Sequence, residues 1–140
     1  MNYTHLHTIT NFTFLTGASH PQEMVERAAE LGYSAIAITD ECSLAGVVKA
    51  FSAAQQYGIE LIIGSYFLLS NGITLIAIAP TRTAYAELSG FITLARRRAD
   101  KGSYEAHLED LRFRLQHCLL IWLCDPINDK NENTIQVHAD

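Results

Sequence analysis

Short apolar runs bounded by turn residues alternate along this chain with longer stretches of helical period, and no other feature constrains the fold as much. Ser34 to Thr39, Glu60 to Ile63 and Cys118 to Leu123 have the length and the apolar content of buried strands. Tyr66 to Leu69 and Ile73 to Ala79 flank Asn71-Gly72, a pair that favours a tight hairpin, so these two runs are predicted to be antiparallel. Tyr3 to Ile9 reads as a short opening strand, and Asn11 to Ser19 as a loop that turns at Gly17. Between the strands, Met24, Ala28, Ala29 and Leu31 recur at helical spacing. Ser19 or His20 serves as cap, Pro21 takes the first position, and Gly32 ends the helix. Ser43 to Tyr57 is a second amphipathic helix, with Leu44, Val47, Val48, Phe51 and Ala54 on one face and Gly58 as its stop. Thr81 to Arg98 and Tyr104 to Gln116 complete the helices. The expected class is α/β, a sheet or barrel of strands joined by helices, with one hairpin inserted.

Composition narrows the function classes. With 49% hydrophobic residues in 140, the chain can bury enough apolar surface to offset the entropy of ordering it, so one folded domain is expected. Its apolar runs are far shorter than the roughly 20 residues a bilayer needs. The start, Met1-Asn2-Tyr3-Thr4-His5, lacks the basic and apolar pattern of a secretory signal. A cytoplasmic protein with no membrane contact is expected. Cys42, Cys118 and Cys124 are an odd number without a CxxC spacing, which argues against a disulfide framework or a structural zinc site. The formal charge of −5 would repel a phosphate backbone, so the chain alone should bind DNA weakly.

Four segments carry a resemblance. In chain order they are Tyr3-Thr4-His5-Leu6-His7, Asn11 to Ser19 (NFTFLTGAS), Ala37 to Gly46 (AITDECSLAG) and Leu61-Ile62-Ile63-Gly64. Together they resemble the PHP (polymerase and histidinol phosphatase) domain, most closely that of bacterial error-prone DNA polymerases related to the polymerase III alpha subunit. Ile38 to Gly46 and Ala95-Arg96-Arg97-Arg98 are the stretches most specific to that branch. The resemblance runs from about Tyr3 to Pro126 and implies a partial β/α barrel. Residues 1–125 are read as a PHP-like domain, incomplete relative to the family, and 126–140 as a polar tail. Family members are several times longer, and their polymerase active site lies far downstream of this domain.

Active PHP domains hold divalent metals on His, Asp and Glu side chains, which suits phosphate-ester hydrolysis by a metal-activated water. His5-Leu6-His7 looks like the family's HxH, but counting back from Phe12 to Gly17 places that pair on His7 and Ile9. The Asp expected before the loop glycine falls on Thr16, the His after Thr-Asp on Glu41, and the Glu beyond Gly64 on Tyr66. Ile cannot ligate a metal, and Thr and Tyr are weak ligands. A full multinuclear site is therefore not expected. What remains is a vestigial site in which His7, Glu41 and either His5 or Asp40 share one divalent metal, against the alternative that these groups hydrogen-bond at strand ends. No other cofactor is expected.

The remaining candidates have plain structural alternatives. Asp40 could cap the next helix or organise a turn. Cys42 near a helix start could be a nucleophile, although no His base is evident. Arg96, Arg97 and Arg98 could touch phosphate or complement a helix dipole. The resemblance implies a part of an error-prone polymerase engaged in damage-induced DNA synthesis, with a structural or protein-contact role and no catalysis of its own. Other polymerase segments or subunits would be its partners, with DNA reached only through the full-length protein. A metal-dependent phosphoesterase or exonuclease and a free-standing binding module are the rivals. An incomplete barrel leaves an open sheet edge, so a homo-oligomer through that edge or the Thr81 to Arg98 helix is also expected.

Overall fold

The computed structural model describes residues 3–124. The tail expected over 126–140 lies outside them. Five strands form one curled sheet in the order β1 (Thr4–His5), β2 (Ala35–Ile38), β3 (Glu60–Leu68), β4 (Thr74–Ile78), β5 (Leu119–Leu123). Four helices connect them: α1 (Pro21–Glu30), α2 (Val47–Tyr57), α3 (Arg82–Arg98) and α4 (Leu108–Arg114). β1, β2 and β3 are parallel, joined through α1 and α2, whereas β4 and β5 are antiparallel to their neighbours. The result is a half-barrel of mixed α/β type.

β3 joins the two halves. The runs Glu60 to Ile63 and Tyr66 to Leu69, read above as separate strands, are one continuous strand. Its first part pairs with β2 in parallel and its second part with β4 in antiparallel. Gly64 sits at the change of partner, opposite Ile78, where a Cβ would come within 2.8 Å of the Ala77 carbonyl oxygen. Close backbone approach of this kind excludes any side chain. The hairpin expected at Asn71-Gly72 is present: it joins the second part of β3 to β4 and is closed over Leu69 to Ile73 by a 2.8 Å bond from the Leu69 amide to the Ile73 carbonyl.

Two apolar clusters lie against the sheet. Val25 and Ala28 of α1 and Ala50, Ala53 and Ala54 of α2 bury Ile36 and Ile38 of β2. Leu88, Phe91 and Ala95 of α3, with Leu111 and Leu115, bury Phe67, Leu75 and Ala77. Phe67 and Phe91 meet edge to face at 4.9 Å, a favoured aromatic geometry. The buried face of α2 differs from the expected one: Val47 and Ala54 are inside, but Val48 is 76% exposed and Phe51 50% exposed. Small alanines let α1 and α2 approach closely, and the larger side chains are turned outward. Ser43 to Gly46 precede α2 as a turn, and α4 is shorter than the Tyr104 to Gln116 span. β5, expected to be buried, is partly open on both faces, because only β4 pairs with it among the described residues.

Candidate functional site at the strand ends

Beyond the carboxyl end of β2, the chain turns through Thr39, Asp40, Glu41 and Cys42, and the N-terminal loop from His7 to Gly17 folds over it. The loop's backbone is held at Gly17, where a Cβ would lie 2.0 Å from the Thr10 carbonyl oxygen, so only glycine fits.

Asp40 is fully buried and fully engaged. Its Oδ1 accepts from the Thr10 amide at 2.7 Å and the Thr13 hydroxyl at 2.7 Å, and its Oδ2 accepts from the Thr10 hydroxyl at 2.8 Å. A buried carboxylate is tolerated only with such donors around it. The Asp40 carbonyl accepts from the Ser65 hydroxyl at 2.7 Å and from the Tyr66 amide at 3.2 Å. Asp40 therefore ties the loop to β2 and β3.

Glu41 is clamped between two phenols. Its Oε2 accepts from the Tyr66 hydroxyl at 2.8 Å and its Oε1 from the Tyr104 hydroxyl at 2.6 Å. Burial and the Glu41 carboxylate together push both tyrosine hydroxyls well above their ordinary pKa, so each stays a neutral donor. Tyr104 also accepts from the Leu68 amide at 2.9 Å, and the Arg96 guanidinium stacks over its ring at 5.4 Å. Arg96 in turn donates to the carbonyls of Glu41, Cys42 and Ser103. This clamp ties the β2–α2 turn, β3 and the α3–α4 connection together.

The histidines lie apart from one another in role. His7 Nδ1 is 2.8 Å from the Thr39 hydroxyl, and its ring meets Tyr66 edge to face at 5.4 Å. Burial, and secondarily His5, hold its pKa below the usual imidazole value. His5 sits on β1 with its Nδ1 at 3.1 Å from the Tyr3 hydroxyl. Among the described residues, no three His, Cys, Asp or Glu side chains come together in an arrangement able to hold a metal ion. Two buried polar atoms near the loop lack partners, Thr8 Oγ1 and Asn11 Oδ1, but a hydroxyl and an amide oxygen are weak ligands for a transition metal. The donor set present does not fit the divalent metals of active PHP domains, and no hydrolytic step can be built on it.

Cys42 has a left-handed backbone (φ 44°) and is completely buried, with its thiol pushed up to about 11 by burial. It lies before a turn and not at a helix start, so nothing there activates it as a nucleophile. Arg98 pairs with Asp110, which leaves Arg97 as the one member of the arginine triplet without a side-chain hydrogen bond among the described residues. His20 bonds Asn11, His107 bonds Ser70, and His117 bonds Glu87. His138 lies outside the described residues. Thr10, Thr13, Thr39 and Tyr104 carry much of the network, yet sequence reasoning did not select them. Their partners lie about 30 to 60 residues away and leave no local signal.

The PHP domain family matches residues 5–124. The chain is 72% identical over 123 residues to an error-prone DNA polymerase of Teredinibacter turnerae and 69% identical over 123 residues to that of Saccharophagus degradans. Each match covers 88% of this chain and 12% of the relative, so the chain spans about an eighth of the length of these polymerases. Among solved structures, it is similar to a candidate metal-dependent phosphoesterase from Bifidobacterium adolescentis, with a TM-score of 0.52 and 25% identity. That likeness covers 67% of this chain and 32% of the other. An amidohydrolase from Chromobacterium violaceum, with bound sulfate and no metal, is similar at a TM-score of 0.57 and 25% identity, over 67% of this chain and 33% of the other. None of the described helices is long and apolar enough to cross a membrane. With its half-barrel and with residues 5–124 matched to that family, the chain belongs to the PHP domain family.

Proposed function

We propose that this chain is the PHP-like N-terminal part of an error-prone DNA polymerase, serving damage-induced DNA synthesis through architecture and protein contacts, without catalysis of its own. The observation that carries this reading is the 72% identity to an error-prone polymerase over 88% of the chain. The geometry at the strand ends supports the non-catalytic part. Asp40 accepts from three threonine donors and each oxygen of Glu41 accepts from a tyrosine, so both carboxylates are engaged in structural hydrogen bonds. The partners under this reading are the remaining segments or subunits of the polymerase. DNA would be engaged through the full-length protein, since the −5 charge of this chain opposes it.

The test is hydrolysis of bis-p-nitrophenyl phosphate and of a labelled oligonucleotide by the purified chain with added Mn²⁺. No rate above that of buffer is expected. Turnover that is lost on Glu41→Gln would replace this reading with a metal-dependent phosphoesterase.

A further inference from the structure

The turn between β3 and β4 lies well inside the described residues and is built around Asn71-Gly72, the only asparagine followed by glycine in the chain. It is a three-residue loop, Ser70-Asn71-Gly72, closed by the Leu69 amide on the Ile73 carbonyl at 2.8 Å and by the Gly72 amide on the Leu69 carbonyl at 2.9 Å. Gly72 has φ 85°, the left-handed region that glycine adopts without strain. The Asn71 side chain folds back over the turn, where its Oδ1 accepts from the Ile73 amide at 3.2 Å. The ring closed by that bond contains both Asn71 Cγ and the Gly72 nitrogen, so the side-chain carbonyl is already turned towards the amide that follows it. Ser70, Asn71 and Gly72 are exposed, and nothing stands within 4 Å of the place a Gly72 Cβ would take. The residue before Asn71 is anchored: Ser70 donates its amide to the Ala106 carbonyl at 2.9 Å, and its hydroxyl lies 2.8 Å from His107 Nδ1.

We infer that Asn71 is a modification site, at which the side chain deamidates spontaneously through a cyclic imide to aspartate and isoaspartate. In the first step the Gly72 amide gives its proton to hydroxide or a buffer base, and the nitrogen attacks Asn71 Cγ. A Cγ–N bond forms, the Cγ–Nδ2 bond breaks, and Nδ2 leaves as ammonia with a proton from water. Water then opens the imide. Cleavage of the new Cγ–N bond gives aspartate with the backbone restored, whereas cleavage at the main-chain carbonyl carbon gives isoaspartate, whose backbone runs through Cβ and Cγ and is one carbon longer. The net exchange is one water for one ammonia, and each product adds one negative charge. A side chain on the following residue shields the attacking nitrogen, so glycine is the favourable neighbour. Asn11, by contrast, precedes Phe12, is half-buried and donates its side-chain amide to His20. The restraint on Asn71 is the Gly72–Leu69 bond, which must open for the nitrogen to lose its proton, and an exposed bond at a hairpin tip opens more readily than the ladder behind it. Aspartate keeps an acceptor for the Ile73 amide. Isoaspartate lengthens the turn and breaks its bonds, which loosens the tip in front of Leu69 and Ile73, both packed into the α3 cluster. This inference concerns the chain by itself and does not depend on the polymerase reading.

The test is incubation of the folded chain, and of the same chain in urea, in mildly alkaline buffer. Ion exchange then separates acidic forms, and mass analysis follows the tryptic peptide from Ala50 to Arg82, in which Asn71 is the only asparagine. The folded chain should accumulate an acidic form with the change at Asn71, at a rate that rises with pH. Two products of equal mass are expected, of which one accepts methyl groups from S-adenosylmethionine through an isoaspartyl methyltransferase. Asn71→Ser, whose hydroxyl still offers the Ile73 amide an acceptor, should abolish the acidic form of this peptide, and Gly72→Ala should slow it severalfold. Retention of Asn71 in the folded chain would overturn the inference, whether no acidic form appears or one arises elsewhere in the sequence. Retention there alongside loss in urea would overturn it too, and would show that the Gly72–Leu69 bond seals the turn. If a variant does not fold, the peptide map of the wild-type chain decides the matter alone.

Discussion

The strand ends around Asp40 and Glu41 and the open strand β5 stand at opposite extremes of the same sheet. At the strand ends, acidic groups are hydrogen-bonded within the chain: three donors surround the buried Asp40, and two phenols hold the half-buried Glu41. At β5, Leu119, Leu120 and Trp122 are exposed among the described residues. The first arrangement closes within the chain because its donors come from its own loop and strands. The second is not closed by the described residues, because burying an apolar strand on both faces and at its edge takes further layers of structure. Stability among the described residues should therefore rest on polar contacts at the strand ends and on the two apolar clusters under the helices.

Removing Asp40 should have the largest effect on the polar side. Asp40→Ala removes the acceptor of two buried threonine O–H groups, which keep only the amides they accept from, and of the Thr10 amide, and at about 1–3 kcal/mol for each donor left unmade the loss should reach about 3 kcal/mol or more. Urea unfolding of the variant would measure it. A loss below about 1 kcal/mol would show that water replaces the carboxylate and that the region is less closed than described.

The tyrosine clamp comes next. Tyr66→Phe and Tyr104→Phe keep the rings and remove the donors, so each should cost about 1–2 kcal/mol. Because both bonds end on Glu41, the double variant should depart from additivity. A strictly additive result would mean that the two hydroxyls act independently.

A smaller effect concerns pH. The pKa of His7 is lowered in the folded state, chiefly by burial. The unfolded chain therefore binds a proton near pH 6.5, before the folded one does. The contribution of His7 to stability is fully present above that value and is lost as pH falls below it towards the folded-state pKa. His7→Asn should flatten this part of the stability profile, measured by urea midpoint against pH. An unchanged slope would assign the effect to other groups.

The same contrast explains which features could be read from sequence. Helices α1 and α3 were legible in position because capping and stop residues are local: the Glu23 carboxylate accepts from the His20 amide, and Thr81 accepts from the Ala84 amide. The hairpin at Asn71-Gly72 was legible for the same reason. Periodicity marks Val48 and Phe51 as part of an apolar stripe but not the width of the space facing it, and here that space is filled on α2 mainly by Ala50, Ala53 and Ala54. The single course of β3 was hidden because Gly64 reads as a break, whereas it marks a close approach to β4. Asp40 and Glu41 could be found as candidates from the Thr-Asp-Glu segment. The sequence could not reveal that Thr10, Thr13, Tyr66 and Tyr104 occupy their oxygens, because those contacts form only through long-range folding.

The central claim is that hydrogen bonds, and not a metal, hold the strand ends together, and thermal unfolding with and without Mn²⁺ tests it most directly. A metal bound only by the folded state adds about 2.7 kcal/mol at a hundred times its Kd, which would raise the midpoint by several degrees in a domain of this size. The expected result is a midpoint that neither Mn²⁺ nor EDTA moves by more than about a degree, with tyrosine-clamp variants that melt lower whether or not the metal is present. A midpoint that climbs with Mn²⁺ concentration, and that Glu41→Gln returns to its metal-free value, would contradict it.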